Sequence, residues 1–138
     1  KHGKKLLISA MVFLSLYSFD RVFFSYEGLF MVKNAVKSYM AEQEAVFAQT
    51  EENAVIVTRY ADKYLYPKRK IIAGFEEEYY REAFVRLVEV KMPVYLYDLK
   101  LNKEQEESLQ NFLKKSKMKV EEPLYTANNL ELRRIIKE

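Results

Sequence analysis

The sequence predicts an α/β chain in which a membrane-type helix and an amphipathic helix precede a small, mostly parallel sheet with flanking helices. Three observations predict it. Residues 6–19, LLISAMVFLSLYSF, carry no charge. Short apolar runs rich in β-branched and aromatic residues, at 55–57, 71–73 and 94–97, alternate with segments of helical periodicity. The 138 residues, 49% apolar and 31% charged, are enough for one domain with its own core. The chain divides into a last membrane helix (1–26), an amphipathic connecting helix (27–52) and an α/β domain (53–138).

The uncharged run has 14 residues, fewer than the ~20 a bilayer requires. Extended past Asp20 and Arg21 to Phe24 it gives 19 residues, or roughly 28 Å of helix. Asp20 and Arg21 then lie near one end, where they can snorkel or pair. Lys1, Lys4 and Lys5 flank the other end and mark it as cytoplasmic, which puts the rest of the chain on the extracytoplasmic side of the cell membrane. A buried core helix and the apolar region of a signal peptide are the competing readings, but no small-x-small cleavage pattern follows the run. The chain begins at Lys1 rather than Met, so a piece of a longer protein is expected.

In residues 29–48, Leu29, Val32, Val36, Tyr39, Met40 and Phe47 fall near one helical face, with Lys33, Lys37, Glu42 and Glu44 elsewhere. The expectation is a helix that packs on the domain; the sharper alternative rests it on the membrane. After the polar break at 50–53 come strands at Val55–Val57 and Ile71–Ala73, the second ended by Gly74. Residues 76–91 read as a helix with three leading Glu residues suited to its dipole. Its buried stripe is Tyr80, Ala83, Phe84, Leu87 and Val88, and Met92-Pro93 ends it. A strand at Val94–Tyr97 follows. Asn102 with Gln105 then predicts a capping box opening a helix that runs to about Ser116 and buries Leu109, Phe112 and Leu113. Met118–Val120 is a further strand, and Leu130–Ile136 is read as a strand entered through a turn at Asn128-Asn129.

Composition excludes several chemistries. There is no Cys, and the one His is His2, so disulfides, thiolate catalysis, His/Cys zinc sites and His-based triads are ruled out. A net charge of +3 argues against a nucleic-acid partner. With three glycines and no Gly-rich phosphate loop, close backbone approach to a phosphate is not expected. Carboxylate sites for hard cations stay open, but no cofactor and no metal site are assigned to this chain.

The densest cluster of functional side chains lies in Ala54–Phe75, AVIVTRYADKYLYPKRKIIAGF. Arg59, Tyr60, Asp62 and Lys63 follow the first strand, at the carboxyl end where open parallel sheets place their sites. Arg59, Asp62 and Lys63 are expected to hold the loop, with Arg59 or Lys63 as partners of Asp62. Tyr60, Tyr64 and Tyr66 are expected to present a flat amphipathic surface. Lys68, Arg69 and Lys70 form a basic turn that could meet anionic headgroups. Asp98 and Lys100, at the end of another strand, are read as solvated charges rather than a nuclease-type pair.

An apolar strand ending in Thr-Arg-aromatic, then Asp-Lys, an aromatic run, Pro and a basic turn into a second strand resembles the extracytoplasmic C-terminal region of polytopic GT-C-type membrane glycosyltransferases. These are enzymes similar to dolichyl-phosphate-mannose protein mannosyltransferases. The matching residues are Val55-Ile-Val-Thr58, Arg59, Asp62, Lys63, Pro67 and Arg69-Lys-Ile-Ile72. The resemblance implies a parent enzyme that takes its sugar from a polyprenyl-phosphate donor, with the catalytic acidic residues in an early loop outside this chain. No catalytic residue is therefore carried onto these positions. The implied partners are the membrane, the N-terminal transmembrane portion of the same protein, and a glycan or lipid-linked sugar. The alternatives are a single-span membrane-anchored interaction domain and a soluble nuclease or nucleotide-binding fragment.

Overall fold

A computed structural model describes residues 2–75 and 77–138, His2 by its backbone alone. The elements follow in the order α1 (His2–Phe24), α2 (Leu29–Ala48), β1 (Val55–Thr58), α3 (Asp62–Leu65), β2 (Lys70–Ala73), α4 (Glu78–Glu89), β3 (Val94–Leu99), α5 (Lys103–Lys115), β4 (Met118–Val120), β5 (Tyr125–Ala127) and β6 (Leu130–Lys137). They form two compact units, Lys1–Met40 and Ala41–Glu138, and α2 contributes to both.

In the first unit the 23 residues of α1 make about 34 Å of helix, long and apolar enough to cross a membrane. Its described side chains are exposed except the half-buried Phe23. Arg21 is satisfied within the helix: its Nε donates to the Tyr17 hydroxyl at 3.0 Å, and the guanidinium lies 5.4 Å from the ring centroid. The turn to α2 is tight. Ser25 Oγ donates to the Arg21 carbonyl at 2.5 Å and the Gly28 N–H to the Ser25 carbonyl at 2.8 Å. A Cβ on Gly28 would sit 2.8 Å from the carbonyl carbon and oxygen of Phe23, so only glycine fits without a shift of backbone. Phe30 comes back onto Phe24, with centroids 5.2 Å apart.

The second unit is built on a sheet of order β2-β1-β3-β6-β4, with β5 also paired to β6. β1 runs parallel to β2 and β3, while β6 is antiparallel to β3, β4 and β5. The sheet is therefore mixed rather than mostly parallel. The helical crossovers α3 and α4 keep the first three strands parallel, whereas β6 is entered through a two-residue hairpin that reverses the chain. Asn128 and Asn129 both take left-handed φ, 49° and 64°, as that turn demands. Side chains alternate along the strands into two cores. Val55, Val57, Val94 and Leu96 face Phe84 and Val88 of α4 and Leu109 and Leu113 of α5. Ile56, Tyr95, Tyr97 and Leu132 face Ala61, Leu65 and Val46.

The capping box forms as expected: Asn102 Oδ1 accepts from Gln105 N–H at 2.9 Å, and Gln105 Oε1 from Asn102 N–H at 3.2 Å. Two short elements, α3 and β5, go beyond the expected set, and α4 begins at Glu78. Glu76, expected as a leading helix residue, lies outside the described residues. The expectation that residues 29–48 pack on the domain is met by the last turns of α2. There Glu42 and Val46 are buried and Phe47 half-buried, whereas Leu29, Val32, Val36, Tyr39 and Met40 are exposed.

Candidate functional site

β1 sits between β2 and β3, and its flanking helices α3 and α4 pack on opposite faces of the sheet. The carboxyl ends of β1 and β3 thus border the crevice where open α/β sheets place ligands. Here the crevice is filled from within. The pairing of Val57 with Leu96 carries Arg59 alongside Asp98. Arg59 Nε donates to Asp98 Oδ2 at 2.8 Å and Nη2 to Oδ1 at 3.2 Å, a two-pronged ion pair. The Asp98 side chain is 1% exposed and also accepts from the Leu99 N–H at 2.7 Å. Aromatic rings cover the guanidinium, with Tyr60 and Phe75 centroids at 5.3 and 5.2 Å. The solvated strand-end reading of Asp98 is therefore corrected, because a two-pronged donor makes burial of its carboxylate tolerable.

Thr58 sets the start of the loop. Its buried Oγ1 accepts from the N–H groups of Tyr60 and Ala61 at 3.3 and 3.1 Å, turning the chain into α3. Asp62 opens that helix, but its carboxylate accepts no hydrogen bond among the described residues, so Asp98 takes the role expected of it. Lys63 is exposed. Of the three tyrosines, Tyr60 and Tyr66 are exposed, at 56% and 67%, whereas Tyr64 turns inward. The Tyr64 hydroxyl donates to Glu42 Oε2 at 3.2 Å. Its pKa is pushed well above the ordinary phenol value, first by burial and then by its polar and acidic neighbours Tyr97 and Glu42.

The basic turn separates in the same way. Lys68 and Lys70 are exposed, with Lys68 Nζ 5.6 Å from the Phe47 ring centroid. Arg69 is buried and corrects its assignment as a headgroup ligand. Its guanidinium donates to the carbonyls of Phe47 at 3.3 Å and Thr50 at 3.0 Å and to Thr50 Oγ1 at 3.2 Å, closing the C-terminal end of α2.

Beneath α3 lies a second polar cluster that the sequence does not announce. Glu42, buried, accepts from Tyr64 and from Asn128 Nδ2 at 2.5 Å, and Gln43 Nε2 donates to the Tyr64 carbonyl. Among the described residues the buried Tyr97 hydroxyl makes no hydrogen bond of ordinary geometry. Burial first, together with the charge of Glu42, pushes the Tyr97 pKa up to about 12. At the neighbouring edge, Tyr95 donates to Glu51 Oε2 at 2.6 Å, and Arg134 Nη2 reaches Glu51 Oε1 at 3.2 Å.

Two surface cavities complete the picture. One of about 510 Å³ lies between edge strand β2 and α4, lined by Ile72, Tyr79, Ala83, Leu87 and Val90 with Glu82 and Arg86. Another of about 360 Å³ opens beside Lys100, Lys103, Glu106 and Arg133. Among the described residues no three His, Asp or Glu side chains gather as metal ligands. Comparison with protein-family models, curated proteins and solved structures finds no match to this chain.

Proposed function

We propose that the chain is the C-terminal accessory domain, with the last membrane helix, of an integral-membrane glycosyltransferase that draws on a polyprenyl-phosphate-linked sugar. Catalysis then resides in membrane segments outside these residues. The observation that carries the reading is how the resembling stretch uses its polar residues. Thr58 turns the loop, Arg59 engages Asp98 and Arg69 closes α2, so the side chains most suited to chemistry act as scaffold. What faces outward is Tyr60, Lys63, Tyr66, Lys68 and Lys70, an amphipathic and basic set suited to docking on a glycan, a lipid-linked sugar or the membrane portion of the same protein. The exposed apolar helix α1 supports membrane attachment, and Lys4 and Lys5 favour an extracytoplasmic domain.

The native chain lacks Cys, so single cysteines report topology directly. Glu107→Cys, on the exposed face of α5, should react with a membrane-impermeant maleimide in intact cells, and Lys4→Cys only after permeabilisation. The reverse pattern would refute the extracytoplasmic placement. For the activity, sugar transfer from a polyprenyl-phosphate donor should be detectable in membranes carrying the parent protein and should fall with a paired Tyr60→Ala, Tyr66→Ala change. Unchanged transfer would sink the docking role.

A second reading, a single-span membrane-anchored interaction domain with no enzyme attached, is favoured by the apolar groove beside β2. The nuclease reading has little left to stand on, because Asp98, its main carboxylate, is enclosed by Arg59.

A further inference from the structure

We propose that residues 29–40 of α2 form an interfacial helix that lies in the headgroup region of the bilayer, with Leu29, Val32, Val36 and Met40 toward the acyl chains. The proposal rests on the membrane reading of α1 and adds to it a second, lateral attachment. Three observations on the first unit carry it.

The chain cannot leave the membrane surface between the helices. Five Cα steps separate Phe24 from Leu29, which is at most about 18 Å of chain. The turn uses far less, since Phe30 stacks on Phe24 at 5.2 Å and sits 6.1 Å from Phe23. Wherever the end of α1 emerges, the first turn of α2 is beside it. The rings around this turn, Phe19, Phe23, Phe24 and Phe30, are wholly apolar and pack on one another.

The two helices meet only at the turn. Every residue of α2 from Leu29 to Met40 is exposed, and α1 is exposed throughout its described side chains except Phe23. Helices folded back along each other would each bury a stripe, and neither does.

The helix is two-sided. At 3.6 residues per turn, Leu29, Val32, Ala35, Val36 and Met40 share one arc. Lys33, Asn34, Lys37 and Ser38 share the other, which in the first turn also carries Phe30 and Met31, with Phe30 turned onto Phe23 and Phe24. An apolar face backed by lysines, directly continuous with a membrane-type helix, fits a lipid surface, and the two lysines fit its phosphates.

The test uses the whole chain in vesicles of phosphatidylcholine with phosphatidylglycerol, labelled with an environment-sensitive fluorophore at one introduced cysteine. Leu14→Cys reports α1, Val36→Cys the apolar arc and Asn34→Cys the polar arc. Expected are quenching of Leu14→Cys and Val36→Cys by lipid-borne quenchers, and several-fold stronger quenching of Asn34→Cys than of Val36→Cys by aqueous iodide. If iodide reaches Val36→Cys and Asn34→Cys equally, the helix stands off the bilayer and the proposal is overturned. If Val36→Cys is shielded from both quenchers, protein covers the arc and the proposal is overturned in favour of a helix partner. A Leu14→Cys that no lipid quencher reaches overturns the membrane reading itself, and this proposal with it.

Discussion

At the scale of the residue, the Arg59–Asp98 pair decides the character of the loop. Asp98→Ala leaves a guanidinium that is mostly buried without this carboxylate, and a loss of about 3 kcal/mol of stability is expected. Asp62→Ala, at a carboxylate with no partner among the described residues, should change stability by less than about 0.5 kcal/mol. Urea titration of the chain in detergent, followed by tyrosine near-ultraviolet circular dichroism, separates the two. Tyrosines also set the alkaline limit. Burial, and for Tyr95 the bond to Glu51, pushes Tyr95 and Tyr97 from an ordinary 10.0 up to about 12. The folded state thus holds phenol protons that the unfolded chain releases. Their stabilising contribution is complete below pH ~10 and is lost as pH rises toward about 12. Spectrophotometric titration should show late tyrosinate formation coinciding with loss of tertiary signal. Early ionisation of all 11 tyrosines in a folded chain would contradict it. At this scale the sequence is least legible. Arg59 is visible as a loop anchor, but its partner lies 39 positions away, and only strand register brings the two together. Glu42 and Asn128 are separated by 86 positions and meet because the end of α2 packs on the sheet beside the β5–β6 turn.

At the scale of the element, local signals are legible where they are strong. The spacing of apolar residues located α2, α4 and α5, and the Asn102–Gln105 pattern located a helix start that the backbone adopts. The four residues of α3 and three of β5 are too few to show a period, and each exists because a neighbour holds it: the Thr58 hydroxyl in one case, the β6 ladder in the other. The antiparallel half of the sheet is not legible in the sequence, because pairing partners, unlike periodicity, are not local. Helix ends hold the clearest opportunity for stabilisation. Lys91 follows the C-cap of α4 with φ 62°, its N–H bonded to the Val88 carbonyl and that of Met92 to Leu87, a Schellman arrangement made without glycine. Lys91→Gly should therefore stabilise the domain by about 0.5–1 kcal/mol, read as a raised midpoint in urea. At the hairpin, Asn129→Gly should be neutral or slightly stabilising, whereas Asn128→Gly removes the bond to Glu42 and should cost about 1 kcal/mol.

At the scale of the molecule, one helix among the described residues is long and apolar enough to cross a membrane. A charge at its middle opposes insertion by about 3 kcal/mol. Leu14→Arg is accordingly expected to move the chain from the membrane pellet to the carbonate-extractable fraction, while Lys4→Gln should leave it in the pellet. The exposed face of α1 made this part of the fold legible from composition alone. The outward-facing set proposed for docking is legible only in outline, because deciding which tyrosines and lysines face outward needs the packing of α2 on the sheet.

That packing has a consequence for any enzyme that trims the protein. The last turns of α2 belong to the domain core: Val46 packs with Ile56, Tyr95 and Tyr97, and Arg69 grips the helix end. A protease cutting among residues 29–40 would shed a fragment that keeps both hydrophobic clusters intact. A cut a few residues later, after Ala48, would remove Val46 and Phe47 and leave only Ala61, Tyr64 and Leu65 over that face of the sheet, and the released piece would be prone to aggregate.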